Sequence, residues 1–147
     1  MTGRLVAIAR RAAKRAPMLE AESGEITLES GLVGDSRGAP GRRQVTVLDA
    51  AAWRAVCEEL GCELPWTHRR ANLLVEGVDL EDSAGCRLKV GDVLLEITCE
   101  TTPCERMDEQ QAGLGRALEP SWRGGVCCRV LRGGAVRPGD PVAMDGA

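Results

Sequence analysis

Glycine or proline interrupts this chain at short intervals throughout, with 18 glycines and 7 prolines in 147 residues and only short apolar runs between them. Such punctuation suits strands of a few residues joined by tight turns. It predicts a mostly β fold, a barrel or sandwich with a few short helices, rather than a helical bundle. The length suits a single domain, residues 1–147, built around one sizeable core, and no linker or break in composition divides it. Phenylalanine and tyrosine are absent. The core must therefore come from Leu, Val, Ala, Ile, Cys and three tryptophans.

Within that rhythm, Leu5–Ala9, Gln44–Leu48, Asn72–Glu76 and Cys86–Val90 read as strands. Val45 and Val47 fall on one side of theirs, Thr46 and Leu48 on the other. In the stretch from 93 to 100, Val93, Leu95, Ile97 and Cys99 alternate with Leu94, Glu96, Thr98 and Glu100, the pattern of a half-buried strand. Asp49–Leu60 is the clearest helix. Asp49 can cap it, Gly61 can end it, and Trp53, Val56, Cys57 and Leu60 share one face. A second helix is expected from about Pro103 to Gln111, and the last strand at Val126–Leu131. Gly34-Asp35, Gly91-Asp92 and Gly139-Asp140 read as β turns.

The formal net charge is −3, and arginine outnumbers lysine by 17 to 2. The basic residues are scattered, and few aromatics are present to stack on bases, so nucleic-acid binding is not expected. No apolar run is long enough to cross a bilayer. The first ten residues lack the charge-then-apolar order of a secretory signal. A soluble cytoplasmic protein is the expectation. Seven cysteines without a secretion signal favour free thiols over a disulfide framework. Walker, Gly-x-Gly-x-x-Gly, Gly-x-Ser-x-Gly and His-Glu-x-x-His patterns are all missing, and nucleotide hydrolysis, dinucleotide binding and serine hydrolysis have no support.

One cysteine differs from the rest. In Thr102-Pro103-Cys104-Glu105, Thr102 and Glu105 have the spacing of a capping box, and Pro103 takes the favoured first helical position. A helix beginning there puts Cys104 in its first turn, where unpaired N–H groups and the helix dipole stabilise a thiolate. Thiolate is the form that ligates metals and attacks sulfur donors. The other cysteines carry no such signal: Cys57 and Cys99 continue apolar faces, and adjacent Cys127 and Cys128 must point to opposite sides of a strand. A structural zinc site from Cys57, Cys62, Cys99 and Cys104 with His68 is an alternative at the loose end of zinc spacing.

Cations for an anionic ligand occur in three stretches, Arg10-Arg11-Ala12-Ala13-Lys14-Arg15, Arg42-Arg43 and His68-Arg69-Arg70-Ala71-Asn72. Arginine suits bidentate contact with phosphate. Arg70 and Asn72 precede a buried strand and could line a barrel mouth. Arg123, beside Gly124-Gly125, offers a further cation near exposed amides.

Taken in order, Ala16-Pro17-Met18, Gly31-Leu32-Val33-Gly34-Asp35, Arg43-Gln44-Val45-Thr46, the run from Arg70 to Leu80, Leu88–Asp92, Pro103-Cys104 and Gly133–Asp140 resemble the MOSC family, named for the C-terminal domain of molybdenum-cofactor sulfurases. The likeness covers nearly the whole chain. It implies a MOSC-type β-barrel and a cysteine, here Cys104, that ligates molybdenum or carries a persulfide. It also implies that the molybdenum cofactor binds through Arg70 and Asn72, with Arg15 and Arg123 as candidates from charge alone. Relatives reduce N-hydroxylated compounds or deliver sulfur for cofactor maturation. Either activity here needs a separate redox partner or cysteine desulfurase, since no iron–sulfur, flavin or desulfurase module is attached; a small-molecule substrate is the expected ligand. Where many relatives have a histidine after the first Gly-Asp, this chain has Ser36-Arg37.

Overall fold

The computed structural model describes residues 3–102 and 107–146. Eleven strands occur among them: β1 (Gly3–Arg10), β2 (Leu19–Ala21), β3 (Gly24–Thr27), β4 (Gly31–Leu32), β5 (Val45–Asp49), β6 (Leu73–Glu76), β7 (Arg87–Val90), β8 (Val93–Glu100), β9 (Val126–Arg132), β10 (Gly134–Val136) and β11 (Pro141–Asp145). Three short helices accompany them, α1 (Ala50–Leu60), α2 (Met107–Gln110) and α3 (Leu114–Leu118).

The strands run β11-β7-β8-β9-β5-β6-β1-β2, and β1 pairs back onto β11 through Gly3↔Val142 and Arg4↔Pro141. Seven strands thus close a barrel, β2 hangs on its side, and β10-β3-β4 form a small second sheet. The final barrel strand is Pro141–Asp145, not Val126–Leu131. Proline at its start and a Gly-Asp turn before it obscure the apolar pattern of this short closing strand. The strands at 19–32 were likewise not legible, being two to four residues long.

Alternation explains how one wall serves two cores. Val45, Val47, Leu73 and Val75 point into the barrel with Leu5, Leu88, Leu95, Ile97 and Cys128. Leu48 and Leu74 point outward and are covered by Trp53 and Val56 of α1 and by Leu114 and Leu118 of α3. Each fully buried Leu or Val contributes ~1.5–3 kcal/mol, which is how an interior without Phe or Tyr suffices. Helix α1 is as expected. The Asp49 carboxylate accepts from Ala51 N at 3.0 Å, and Gly61 ends it at φ 61°, a left-handed conformation that favours glycine.

The reading of Cys99 as a continuation of the buried face is overturned. On β8, Ile97 lies opposite Cys128, but Cys99 lies opposite Cys127, with a register shift between Ile97 and Cys99. The extra residue, Thr98, makes a β-bulge, and a bulge inverts the alternation beyond it. Cys99 therefore joins Cys127 on the outer face of the wall, while Cys128 stays in the barrel core. The predicted start of a helix at Pro103 lies outside the described residues; the helix that is described there is α2.

Candidate functional site

The site is assembled around a turn. Gly34, at φ 90°, lets the chain fold back after β4, and Asp35 N closes the turn onto Leu32 O at 3.1 Å. The Asp35 side chain, 1% exposed, is then trapped among donors. It accepts from the backbone N–H of Arg11 at 3.1 Å and of Arg37 at 3.3 Å, and pairs with Arg70 Nη2 at 2.5 Å. One carboxylate thus gathers three arginine-bearing segments that are far apart in sequence.

The neighbouring wall is fixed by buried polar contacts. Asn72 is 1% exposed. Its Oδ1 accepts from Thr46 N at 3.1 Å, and its Nδ2 donates to Ala9 O at 3.3 Å. Thr46 Oγ1 donates to Arg70 O at 3.1 Å. Arg69, 5% exposed, donates to Gly124 O at 2.7 Å and to the sulfur of Met107 at 3.2 Å. It therefore ties α2 to the turn before β9.

These elements enclose a cavity of about 720 Å³ on the outside of the barrel, within the usual size range of small-molecule sites. Six arginines line it, Arg11, Arg15, Arg37, Arg43, Arg69 and Arg70, together with His68. Glu109 is the one carboxylate on the wall among the described residues. Burial lowers the pKa of the Arg11 guanidinium, and the charges of Arg70 and Arg37 lower it further, against the opposing pull of Asp35. It stays protonated, as arginine does in proteins, but in a field already too positive. The Nε–H groups of Arg11 and Arg70 are buried with no acceptor among the described residues. Arg15 holds a left-handed backbone, φ 68°, on the same wall, a strain that a side chain with a Cβ accepts only when its surroundings impose it. Such a concentration of donors and charge is complementary to an oxyanion.

Of the residues expected from the sequence, Arg70 and Arg15 line the cavity. Asn72 does not; it is spent on the backbone of β1 and β5 behind the wall. Arg123 lies outside the lining, where it pairs with Glu59 at 2.8 Å and donates to Ala117 O at 3.1 Å. Cys104 lies outside the described residues, but Thr102 and Met107, which bracket its segment, both line the cavity. The zinc grouping is not assembled. Cys57 and Cys62 lie at the end of α1, Cys99 is on β8, and no group of three His, Cys, Asp or Glu that could hold a metal occurs among the described residues.

Three contributors were missed. The sequence marks Asp35 only as a turn residue and Arg37 only as a departure from the family pattern; Cys127 packs as expected, 1% exposed, but also backs the cavity. Cys127 lines the cavity with its sulfur 3.2 Å from Thr101 Oγ1. Burial pushes its pKa up, and the Thr101 hydroxyl opposes that shift. Its placement away from Cys128 is available from strand alternation; its place on a cavity wall, buried at 1% exposure, is not.

Comparison with known proteins fits this architecture. No curated protein matches the sequence. Among solved structures, the YuaD protein from Bacillus subtilis superposes with a TM-score of 0.85 at 18% identity, over 100% of this chain and 97% of that one. YiiM from Geobacillus stearothermophilus gives 0.74 at 17% identity, over 97% of this chain and 74% of its own. YiiM from Escherichia coli gives 0.72 at 13%, over 98% and 70%. At these identities the likeness is one of fold. The sequence itself matches the MOSC domain over residues 30–143, a span that runs from the Asp35 turn to the closing strand, and the chain belongs to the MOSC domain family.

Proposed function

We propose that this MOSC domain binds the molybdenum cofactor in the arginine-lined cavity, with Cys104 as the thiolate ligand of the metal. The observation that carries the reading is the pair of buried Nε–H groups on Arg11 and Arg70 that have no acceptor among the described residues. A phosphate-bearing ligand supplies the acceptors they lack and offsets the surplus of positive charge. The residues present therefore fit the phosphate end of the cofactor.

Arg11, Arg37 and Arg70 would hold that phosphate, oriented by Asp35, and Arg15 and Arg43 would extend the grip. Asn72 would act through Arg70 and Thr46, fixing the wall rather than touching the ligand. Cys104 would supply a soft sulfur donor suited to such a metal. When bound, the cofactor supplies two-electron redox chemistry of the kind used to reduce N-hydroxylated compounds; electrons would come from a separate partner.

The test is elemental and pterin analysis of full-length protein purified from a cofactor-competent host. The expected result is near-stoichiometric molybdenum and pterin, molybdenum lost in Cys104→Ser, and both lost in Arg11→Ala/Arg70→Ala. Folded wild-type protein carrying neither molybdenum nor pterin would overturn the proposal.

A further inference from the structure

The cavity wall contains a second sulfur site that the cofactor reading does not use. The bulge at Thr98 places Cys99 and Cys127 directly opposite each other on the antiparallel pair β8–β9. Directly opposed residues on antiparallel strands have Cα atoms about 4.5–5.5 Å apart, inside the span a disulfide bridges without backbone movement. The two thiols border different spaces, Cys127 with only 1% of its surface exposed and Cys99 partly exposed. Cys127 lines the arginine-rich cavity, whereas Cys99 lines a second, shallower cavity of about 480 Å³. Arg37 and Arg43 belong to both walls. A dithiol between two cavities that share two arginines is more than two packing cysteines require, and a regular strand would have turned Cys99 to the opposite face.

We propose that Cys127 and Cys99 form a thiol–disulfide exchange site for a small, acidic disulfide admitted to the arginine-lined cavity. The arginines hold the carboxylates of the ligand and bring its S–S bond to Cys127. The Cys127 sulfur attacks one ligand sulfur, and the other leaves as a thiolate that takes up the Cys127 proton. Cys99 then attacks Cys127 in the mixed disulfide, and the second half of the ligand leaves as a thiol with the Cys99 proton. Two cysteine thiols and one disulfide become one cross-strand disulfide and two small thiols. Two electrons pass from the protein to the ligand, and a separate dithiol reductant resets the site. Neither a metal nor Cys104 takes part, so this site stands or falls independently of the cofactor reading.

The molecule contains its own control. Cys57 and Cys62, at the end of α1, are also joined, by a backbone hydrogen bond from Cys62 N to Cys57 O at 3.1 Å, but neither belongs to the cavity wall. The experiment treats reduced full-length protein with the dianionic disulfide 5,5′-dithiobis(2-nitrobenzoate) and, separately, with cationic cystamine. Trapped samples are mapped by peptide mass spectrometry over time. Because the two reagents also differ in leaving group, the expected result is a Cys99–Cys127 linked peptide whose ratio of rates, anionic over cationic reagent, exceeds the same ratio for modification at Cys57 and Cys62 at least tenfold. In Cys99→Ser the adduct should persist on Cys127 with only one equivalent of thiol released there. The linked peptide failing to form in folded wild-type protein, or showing the same ratio of rates as Cys57 and Cys62, would overturn the proposal.

Discussion

Replacing Asp35 by asparagine removes one charge and keeps the shape, so it isolates what the carboxylate does for the arginine cluster. The side chain is 1% exposed and serves three donors, two backbone N–H groups and the Arg70 guanidinium, whose own side chain is 16% exposed. Asparagine offers one acceptor oxygen in place of two, and its amide nitrogen must face a donor. Breaking a buried ion pair from one side costs about 3–5 kcal/mol. The partial exposure of Arg70 moves the expectation to the lower end, ~3 kcal/mol, a large share of the stability of an ordinary domain. Urea denaturation followed by tryptophan fluorescence measures it, since Trp53 and Trp66 are both buried. Two companions sharpen the test. D35N/R70M, which also removes the stranded cation, should lose less than D35N alone. Sulfate at constant ionic strength should stabilise D35N more than wild type, because the anion stands in for the missing charge. A cost of D35N below ~1 kcal/mol, the range of a surface ion pair, with no differential response to sulfate, would refute the reasoning.

Two further outcomes follow from buried polar groups elsewhere. Burial raises the Asp49 carboxyl pKa above its ordinary value, so the folded state favours its protonated form; that contribution is full below the unfolded value of ~3.9 and is lost as pH rises through the folded one. D49N keeps the cap on Ala51 and removes the penalty, so in pH-dependent urea melts it should equal or exceed wild type at pH 7, with its advantage shrinking in acid. D49A should lose ~1 kcal/mol at pH 7, and D49N falling as far as D49A would sink the argument. Gln44 is 1% exposed; its Nε2 donates to Leu28 O at 2.6 Å and Gly38 O at 3.3 Å, and its Oε1 accepts from Val130 N at 3.0 Å. Gln44→Leu strands these buried backbone groups at ~1–3 kcal/mol for each one left unsatisfied; hydrogen exchange at the Val130 amide should accelerate, and an unchanged rate would show that the amide finds another partner.

The barrel was legible because its signals are local. Turn residues, strand alternation at 93–97 and the Asp49–Gly61 caps each act within a few positions. What escaped depends on pairing across the chain. The closing strand Pro141–Asp145 has meaning only against β1 and β7, and the bulge at Thr98 is set by β9. The site divides the same way. Arginine-rich stretches marked the cations, but only the fold shows that Arg11, Arg37 and Arg70 converge on Asp35, or that Asn72 works from behind the wall. Arg123 has the same chemistry as Arg15, yet it finds Glu59 rather than the cavity.

The cluster is also hard to explain as a device for stability. Guanidinium groups repel, their desolvation is costly, and Asp35 neutralises one of them. A surface that needed only solubility would leave these side chains in water, and a core would replace them with leucine. Here six converge on one cavity, one left-handed residue strains the wall, and two N–H groups are buried without acceptors among the described residues. An oxyanion that binds the folded state alone returns the missing interactions and stabilises it by RT ln(1 + [L]/Kd). The same linkage means that loosening the cluster lowers affinity even where no direct contact is lost. Asn72 should therefore matter to ligand binding as a positioning residue, through Thr46 and the backbone of Arg70, whereas the carboxylate of Asp35 both orients Arg70 and opposes the anion, and for a small anion such as sulfate the charge dominates.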